Sequence, residues 1–291
     1  MKRPNFFIIG APKCGTSSLA AWLGEHPQAF MSEPKEPSFF DTDNELGVAK
    51  TLTQYLRIFE NAKDDHLAVG EASVGYLFSQ VAVRNIIEFN PSAKFIVLLR
   101  NPLEMVVSLH GEMYWAGWEC IEDFETAWRV RNVRGFGRGQ VGPFCSDLRF
   151  IQYENACKLG EQVDRLLKTV DAKSVLFIFL EDIKLSPSHE YRRVLDFLEV
   201  PYDGKSEFTV HNPSKRERNQ LIRHARLYFH IIKRKLGIPF PPMRMLKAIF
   251  VSKYKSPPLR AEFRQELIEV YRDDVMLLSS LLGRDLSHWL R

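Results

Sequence analysis

Long hydrophobic runs are missing from this chain of 291 residues. No stretch approaches the roughly 20 apolar residues that a membrane-spanning helix requires. The opening MKRPNFFIIGAPKCG has the basic residues and the apolar run of a secretion signal, but Gly10 and Pro12 interrupt that run early. The sequence therefore predicts a cytoplasmic protein without a membrane span.

The chain also has few cysteines and a small net charge. The four cysteines form no CxxC pair and no Cys/His spacing that suits zinc, so we expect neither a metal site nor a disulfide framework. The net charge of +4 at pH 7 is too small to indicate nucleic acid as a partner. Internal repeats and low-complexity tracts are absent from the sequence as well. These absences direct attention to local motifs.

The chain contains enough apolar residues for one full core, since 45% of it is hydrophobic. Short apolar runs at 6–9, 67–69, 95–99 and 175–180 predict buried strands. Helical patterns lie at 16–25, 80–89, 102–113, 147–170, 190–198 and 259–282. This alternation predicts the α/β class, as a P-loop-like three-layer α/β/α domain with a central parallel sheet. We predict one domain over 1–291, with a helical, basic C-terminal elaboration from about 215 and a surface excursion at 235–244.

The first candidate site is the segment GAPKCGTSSL, which follows the first predicted strand. It lacks the Gly-Lys-Ser/Thr order of nucleotide kinases, because Lys13 precedes Gly15. Glycines permit close backbone approach, a helix N-terminus offers N–H groups, and Lys13 adds a full positive charge. The segment predicts an anion cradle, and the alternative is an ordinary strand-to-helix turn with an exposed lysine.

The second candidate site is KFIVLLRNPLEMVVSLH, in which Arg100 ends a predicted strand. Asn101 suits a helix N-cap, Pro102 the first helical position and Glu104 a capping box. A nucleoside-triphosphate enzyme more often places a magnesium-binding Asp at such a strand end. Arg100 therefore predicts a second anion site, and the alternative is an arginine paired with a surface carboxylate.

Together these segments resemble the sulfotransferases that use 3′-phosphoadenosine 5′-phosphosulfate (PAPS). APKCGTSSL is similar to their loop for the 5′-phosphosulfate, and RNPLEMVVS to their segment for the 3′-phosphate. SEPKEPSFFD and GEASVGYL resemble stretches of the carbohydrate branch, which includes the heparan sulfate enzymes, and of its soluble bacterial relatives. A weaker similarity extends through NPSKRERN to LIEVYRDDVMLLSSLLGRDLSHW.

The resemblance implies in-line transfer of a sulfuryl group from PAPS, without a metal, to a hydroxyl or amine of a carbohydrate or natural-product acceptor. It implies that Lys13 contacts the 5′-phosphate and bridging oxygen as charge develops on the leaving group. The nucleotide-binding residues that it implies are Lys13, Cys14, Gly15, Thr16, Ser17, Ser18, Arg100, Ser108, Lys215, Arg216 and Arg218.

A carboxylate is the natural base for the acceptor's proton. Glu36 matches the glutamate of the carbohydrate branch, and His110 is the rival base. The alternatives are a loop glutamate beside prolines and a structural histidine. The chain departs from the heparan sulfate enzymes at Ala72, where they carry a lysine, and at Ser38, where histidine is frequent; Lys35 could supply the missing charge.

Other readings remain open beside this one. A silent adenosine 3′,5′-bisphosphate-binding module would need only the two anion sites, and a magnesium-dependent kinase would have to recruit Glu181 and Asp182. The pattern at 221–236 predicts an amphipathic helix whose basic face either is solvated or meets an anionic acceptor or a membrane surface. Aromatic residues after both candidate sites suit a small-molecule, glycan or lipid acceptor equally.

Overall fold

A computed structural model describes residues 2–43, 47–131, 141–211 and 258–291, together with the backbone of two short strands at 215–217 and 251–253. The chain divides into two compact units. The first comprises 1–105, 156–212 and 265–291, and the second comprises 106–155 and 213–264. The assignment of the whole chain to one domain stays a prediction of the sequence.

The first unit contains a five-stranded sheet in the order β2-β3-β1-β4-β5. Its strands are β1 (Phe6–Gly10), β2 (Ala29–Met31), β3 (Ala68–Ala72), β4 (Lys94–Leu99) and β5 (Val175–Phe179). All four pairings in the sheet are parallel. This confirms the predicted α/β class with a central parallel sheet, although β2 was missed because three residues are too few to show a period.

Helices connect and follow these strands. They are α1 (Thr16–Gly24), α2 (Leu52–Arg57), α3 (Ala82–Phe89), α4 (Pro102–Ala116), α5 (Phe124–Arg129), α6 (Tyr153–Ala156), α7 (Leu159–Leu167), α8 (Leu180–Leu185), α9 (Pro187–Leu198) and α10 (Ala261–Leu282). Five of the six predicted helices are found within a few residues of their expected bounds.

The predicted helix over 147–170 was wrong as a single element. It consists of a 3₁₀ turn at Leu148–Ile151 followed by α6 and α7. The N–H groups of Gly160 and Glu161, at the start of α7, both donate to the Asp274 carboxylate at 2.9 Å. That cap comes from a residue far along the chain, so the local pattern cannot reveal it.

The core of the first unit explains the consecutive apolar residues of its strands. The side chains of β1 are all buried, and so are those of β4 from Phe95 to Leu99. A strand buried on both faces needs apolar residues at every position rather than at alternate ones. Glu71 in β3 is an exception, since it is charged and fully buried.

The second unit holds most of α4, with α5, α6 and an antiparallel pair, β6 (Lys215–Glu217) and β7 (Val251–Lys253). The predicted amphipathic helix at 221–236 and the predicted excursion at 235–244 lie outside the described residues. Across the described ranges, no helix combines the length and the apolar character that crossing a bilayer would take.

Candidate active site

The loop between β1 and α1 turns through two left-handed residues, Lys13 (φ 64°) and Gly15 (φ 96°). A Cβ at Gly15 would lie 3.1 Å from Leu180 Cδ1, so glycine suits both the backbone and the space. Because α1 begins at Thr16, the N–H groups of Thr16 and Ser17 have no intrahelical acceptor. With the positive end of the helix dipole, they form a place where an anion is stabilised.

Arg100 connects the end of β4 to this loop. Its Nη1 donates to the Lys13 carbonyl oxygen at 3.1 Å, and its Nε and Nη2 donate to Glu104 Oε2 at 3.3 and 3.0 Å. The pairing with a carboxylate that the sequence left open is therefore present, alongside a contact to the loop. Arg100 thus lies at the predicted anion site and also holds the backbone at Lys13.

The start of α4 follows the prediction in part. Asn101 Oδ1 accepts a hydrogen bond from the N–H of Leu103 at 2.9 Å, and the helix begins at Pro102. The predicted capping-box role of Glu104 was wrong, because its carboxylate turns to the Arg100 guanidinium. An ion pair with a charged donor is stronger than a bond to a neutral backbone N–H.

Cys14 is fully buried within the loop. Its Sγ lies 3.4 Å from the Pro12 carbonyl oxygen and 3.9 Å from Met105 Sδ. Burial raises the pKa of the thiol to about 12, against an opposing effect of the Arg100 charge. The thiol is therefore neutral and packs in the core, and the nucleotide contact expected of Cys14 stays a prediction.

Ser18 is buried one turn into α1, and its hydroxyl faces the chain at His211. Ser18 Oγ accepts the N–H of His211 at 3.0 Å and lies 3.5 Å from its carbonyl oxygen. On the next turn, Trp22 Nε1 donates to the Thr209 carbonyl oxygen at 2.9 Å. Ser18 thus ties α1 to the chain at His211, shortly before the predicted nucleotide-binding residue Lys215.

Glu36 lies in a strained turn after β2. Both Glu36 (φ 63°) and Ser38 (φ 48°) adopt left-handed backbone conformations that non-glycine residues rarely take. The Glu36 side chain is 43% exposed, and its Oε1 is 2.6 Å from Lys35 Nζ. Such strain tends to occur at functional positions, and the partly exposed carboxylate can reach a solute.

Directly beneath this turn, three hydroxyl groups donate to the Glu71 carboxylate. The Tyr55 and Tyr76 hydroxyls lie 2.6 and 3.1 Å from Oε1, and the Ser73 hydroxyl lies 2.6 Å from Oε2. Burial raises the pKa of Glu71 to about 7 despite these hydrogen bonds. We call Tyr55, Glu71, Ser73 and Tyr76 the Glu71 cluster.

The Glu71 cluster is a feature of this site that the sequence did not predict. GEASVGYL indicated a resemblance to the carbohydrate branch and the absence of its lysine at Ala72, but no role for Glu71. A carboxylate within a buried apolar strand was the available signal, because charged residues are seldom buried without partners. The partners could not be read from spacing, since Tyr55 comes from α2.

His110 is buried in an aromatic cluster of the second unit. Its Nε2 lies 2.9 Å from the Ile121 carbonyl oxygen, and its ring centroid lies 5.3 Å from that of Phe124 and 5.7 Å from that of Tyr153. This environment favours the structural histidine that the sequence left as an alternative.

The remaining predicted residues belong to the second unit. Ser108 lies on α4, and Lys215 and Arg216 lie on β6, of which only the backbone is described. Arg218 lies outside the described residues. Their contacts with a nucleotide stay predictions.

The carboxylates that a kinase would recruit are already paired. Arg284 donates to Asp182 Oδ1 at 2.9 Å and to Glu181 Oε1 at 3.0 Å. Hydrogen bonding from Arg284 lowers the pKa of Asp182. Glu181 Oε2 also lies 3.2 Å from Trp289 Nε1. Within the part of the chain that the structure describes, no group of three or more His, Cys, Asp or Glu side chains is arranged to hold a metal.

Comparisons with known proteins identify the family of this chain. A family model described as Sulfotransferase domain matches residues 3–227. A sulfotransferase crystal structure from Alicyclobacillus acidocaldarius superposes with a TM-score of 0.74 at 25% identity and covers 100% of both chains.

Two curated relatives carry heparan sulfate in their names. Bifunctional heparan sulfate N-deacetylase/N-sulfotransferase 4 of Mus musculus is 26% identical over 304 residues, covering 99% of this chain and 31% of that protein. Heparan sulfate glucosamine 3-O-sulfotransferase 6 of Homo sapiens is 28% identical over 195 residues, covering 67% of this chain and 52% of that protein. The chain thus spans about a third of the first relative and about half of the second. Since the family model spans more than half of the chain and includes both anion segments and the Glu36 turn, the protein belongs to the sulfotransferase domain family.

Proposed function

We propose that this chain transfers a sulfuryl group from PAPS to a hydroxyl or amine, with Glu36 as the base. The observation that carries the proposal is the loop between β1 and α1, where Arg100 donates to the Lys13 carbonyl oxygen and α1 begins three residues later at Thr16. β1 and β4 are neighbouring parallel strands, so their carboxyl ends deliver both cations to one edge of the sheet. That edge is where ligands bind in open α/β sheets.

The proposed step balances without a further reactant. The acceptor oxygen or nitrogen bonds to sulfur as the bond from sulfur to the bridging oxygen breaks, and adenosine 3′,5′-bisphosphate leaves. The Lys13 ammonium stabilises the negative charge that grows on that oxygen. The Glu36 carboxylate takes the acceptor's proton, and the nearby Lys35 ammonium keeps the turn from becoming a site of net negative charge.

The residues support sulfuryl rather than phosphoryl transfer. A sulfuryl group carries less negative charge than a terminal phosphoryl group, so lysine and backbone donors can stabilise its transfer without magnesium. The carboxylates after β5 are bound by Arg284, which opposes the kinase alternative because a magnesium site needs carboxylates available as ligands. His110 receives no part in the proposal.

For the acceptor we propose a carbohydrate, because the relatives described above are named for heparan sulfate. A natural product remains the alternative that the sequence left open. The heparan sulfate acceptor to test first is the N-desulfated polymer, since it offers both free amines and free hydroxyls. The predicted contacts of Arg100 and Ser108 with the 3′-phosphate belong to the same proposal.

Nucleotide binding tests the proposal before any acceptor is known. Adenosine 3′,5′-bisphosphate should raise the melting temperature with no magnesium present, because a ligand that binds only the folded state stabilises it. Titration calorimetry should show the same binding with and without magnesium. Absence of binding, together with tight binding of magnesium-ATP, would replace this proposal with the kinase. Binding without transfer from labelled PAPS to any acceptor would leave the silent nucleotide-binding module.

A further inference from the structure

The strained turn at Glu36 is held by backbone N–H groups that donate to side-chain hydroxyls. The N–H of Ser38 donates to Ser73 Oγ at 3.1 Å. The N–H groups of Phe39 and Phe40 donate to the Tyr76 hydroxyl oxygen at 2.9 and 3.3 Å. Three consecutive amides after Glu36 therefore depend on two hydroxyls as acceptors.

The direction of these hydrogen bonds is set by Glu71. A hydroxyl has one proton, and it accepts from a backbone N–H most readily when that proton points elsewhere. The protons of Ser73 and Tyr76 point to the two carboxylate oxygens of Glu71. An ionised carboxylate only accepts, so it orients both hydroxyls toward itself and leaves their lone pairs to the turn.

We propose that Glu71 is a positioning residue that, through Ser73 and Tyr76, holds the Glu36 turn in the conformation in which Glu36 takes the acceptor's proton. The proposal rests on the proposed role of Glu36. Glu71 itself is fully buried and takes no part in the chemistry. Its effect is transmitted by two hydrogen-bonded paths, one from Oε2 through Ser73 and one from Oε1 through Tyr76.

Protonation of Glu71 would disrupt these paths. A neutral carboxyl group must donate one proton, yet all three of its hydroxyl partners donate to it. At least one hydroxyl would have to reverse and give up its present orientation. The titratable groups that act on Glu71 are Tyr55 from α2, Tyr76 after β3 and the Glu36 carboxylate, whose negative charge also raises the pKa of Glu71.

The Glu71 cluster contains its own matched control. Tyr55 donates to the same Oε1 as Tyr76 does, and both side chains are fully buried. The hydroxyl of Tyr76 also accepts from the N–H groups of the turn, whereas the hydroxyl of Tyr55 donates to Glu71 and accepts from no described N–H of the turn. Tyr55→Phe and Tyr76→Phe therefore remove the same kind of bond to Glu71, but only Tyr76→Phe removes an acceptor of the turn.

Hydrogen exchange of the amides of Ser38, Phe39 and Phe40 tests the inference without an activity assay. At a pH well above the pKa of Glu71, these amides should exchange at least about tenfold faster in Tyr76→Phe and Glu71→Gln than in the wild type. Exchange in Tyr55→Phe should stay within about twofold of the wild type. Equal acceleration in Tyr55→Phe and Tyr76→Phe, or none in Glu71→Gln, would overturn the proposed paths. If the exchange rates follow this pattern but the wild type transfers no sulfuryl group, the proposed function is refuted and the hydrogen-bonded paths from Glu71 are not.

Kinetics then test the consequence for catalysis. Glu71→Gln and Tyr76→Phe should lower kcat about tenfold or more while the Kd for adenosine 3′,5′-bisphosphate changes less than about twofold, because the loop at Lys13 is untouched.

The pH dependence of kcat gives a second test. The kcat of the wild type should fall as the pH drops through about 7, and this acid limb of the pH profile should be absent from Glu71→Gln. Tyr55→Phe should keep the plateau kcat and move the limb to higher pH, because one hydrogen bond that lowers the pKa of Glu71 is lost. A limb that persists in Glu71→Gln would contradict the assignment.

Discussion

At the residue scale, the proposed reaction depends on two cations, Arg100 and Lys13. Arg100 binds the Lys13 carbonyl and the Glu104 carboxylate, and by the proposal it also meets an anionic substrate. Lys13 lies in a left-handed conformation at the tip of the loop. The proposal therefore gives the two residues different roles, although both are cations at one edge of the sheet.

Substitution of the two cations should separate these roles. Lys13→Ala should lower kcat strongly, because its contact strengthens as charge develops on the leaving oxygen. Arg100→Ala should chiefly raise the KM for PAPS, with a smaller loss of kcat because the Lys13 carbonyl loses its donor. Steady-state kinetics over a range of PAPS concentrations measures both effects. Equal increases of KM in both variants, with kcat unchanged, would show that the division of roles is wrong.

Glu71 should also make stability depend on pH. Its pKa is raised by burial from 4.5 to about 7, so the folded state holds a proton that the unfolded state releases between these values. The free energy of unfolding should therefore fall by roughly 3 kcal/mol as the pH rises from about 4.5 to about 7. Denaturant unfolding at several pH values measures this slope. In Glu71→Gln the free energy of unfolding should fall less over the same pH range, by that amount. Identical slopes in both proteins would contradict the raised pKa.

At the scale of elements, the sequence predicted most of the fold and the positions of the anion segments. Four of the five strands of the sheet were predicted from short apolar runs, and the strand ends at Gly10 and Leu99 lead into the predicted segments. What it missed depends on contacts between distant segments. The Asp274 cap of α7 and the Tyr55 hydroxyl on Glu71 come from other elements, and no periodicity reports them.

The contact of α1 with the chain at 209–211 gives a prediction of its own. Ser18→Ala removes the hydroxyl acceptor of the His211 N–H, which should lower the free energy of unfolding by about 0.5–1.5 kcal/mol. Nucleotide affinity should fall less in Ser18→Ala than in Ser17→Ala, because the Ser18 hydroxyl is already hydrogen-bonded to the backbone of His211. Denaturant unfolding and calorimetry measure the two effects. A Ser18→Ala variant of full stability with greatly weakened nucleotide binding would show that Ser18 contacts the nucleotide, as the resemblance implies.

At the scale of the whole molecule, membership of the sulfotransferase domain family joins these local features. The anion loop and the Glu36 turn both belong to the first of the two compact units, so the groups proposed for the leaving oxygen and for the acceptor's proton share one sheet. Sequence motifs predicted both groups. They did not reveal the acceptor, because aromatic residues with no diagnostic spacing suit many ligands.

The most direct test of the central claim is transfer of labelled sulfate from PAPS by the wild type and by Glu36→Gln, with nucleotide affinity measured on the same samples. Gln preserves size and hydrogen bonding but removes the basic carboxylate. The account predicts transfer by the wild type to N-desulfated heparan sulfate or to another acceptor found by screening with labelled PAPS. It predicts a loss of about 10²–10⁴-fold in Glu36→Gln with unchanged Kd for adenosine 3′,5′-bisphosphate, the usual effect of removing a general base. Transfer by Glu36→Gln at nearly the wild-type rate would contradict it.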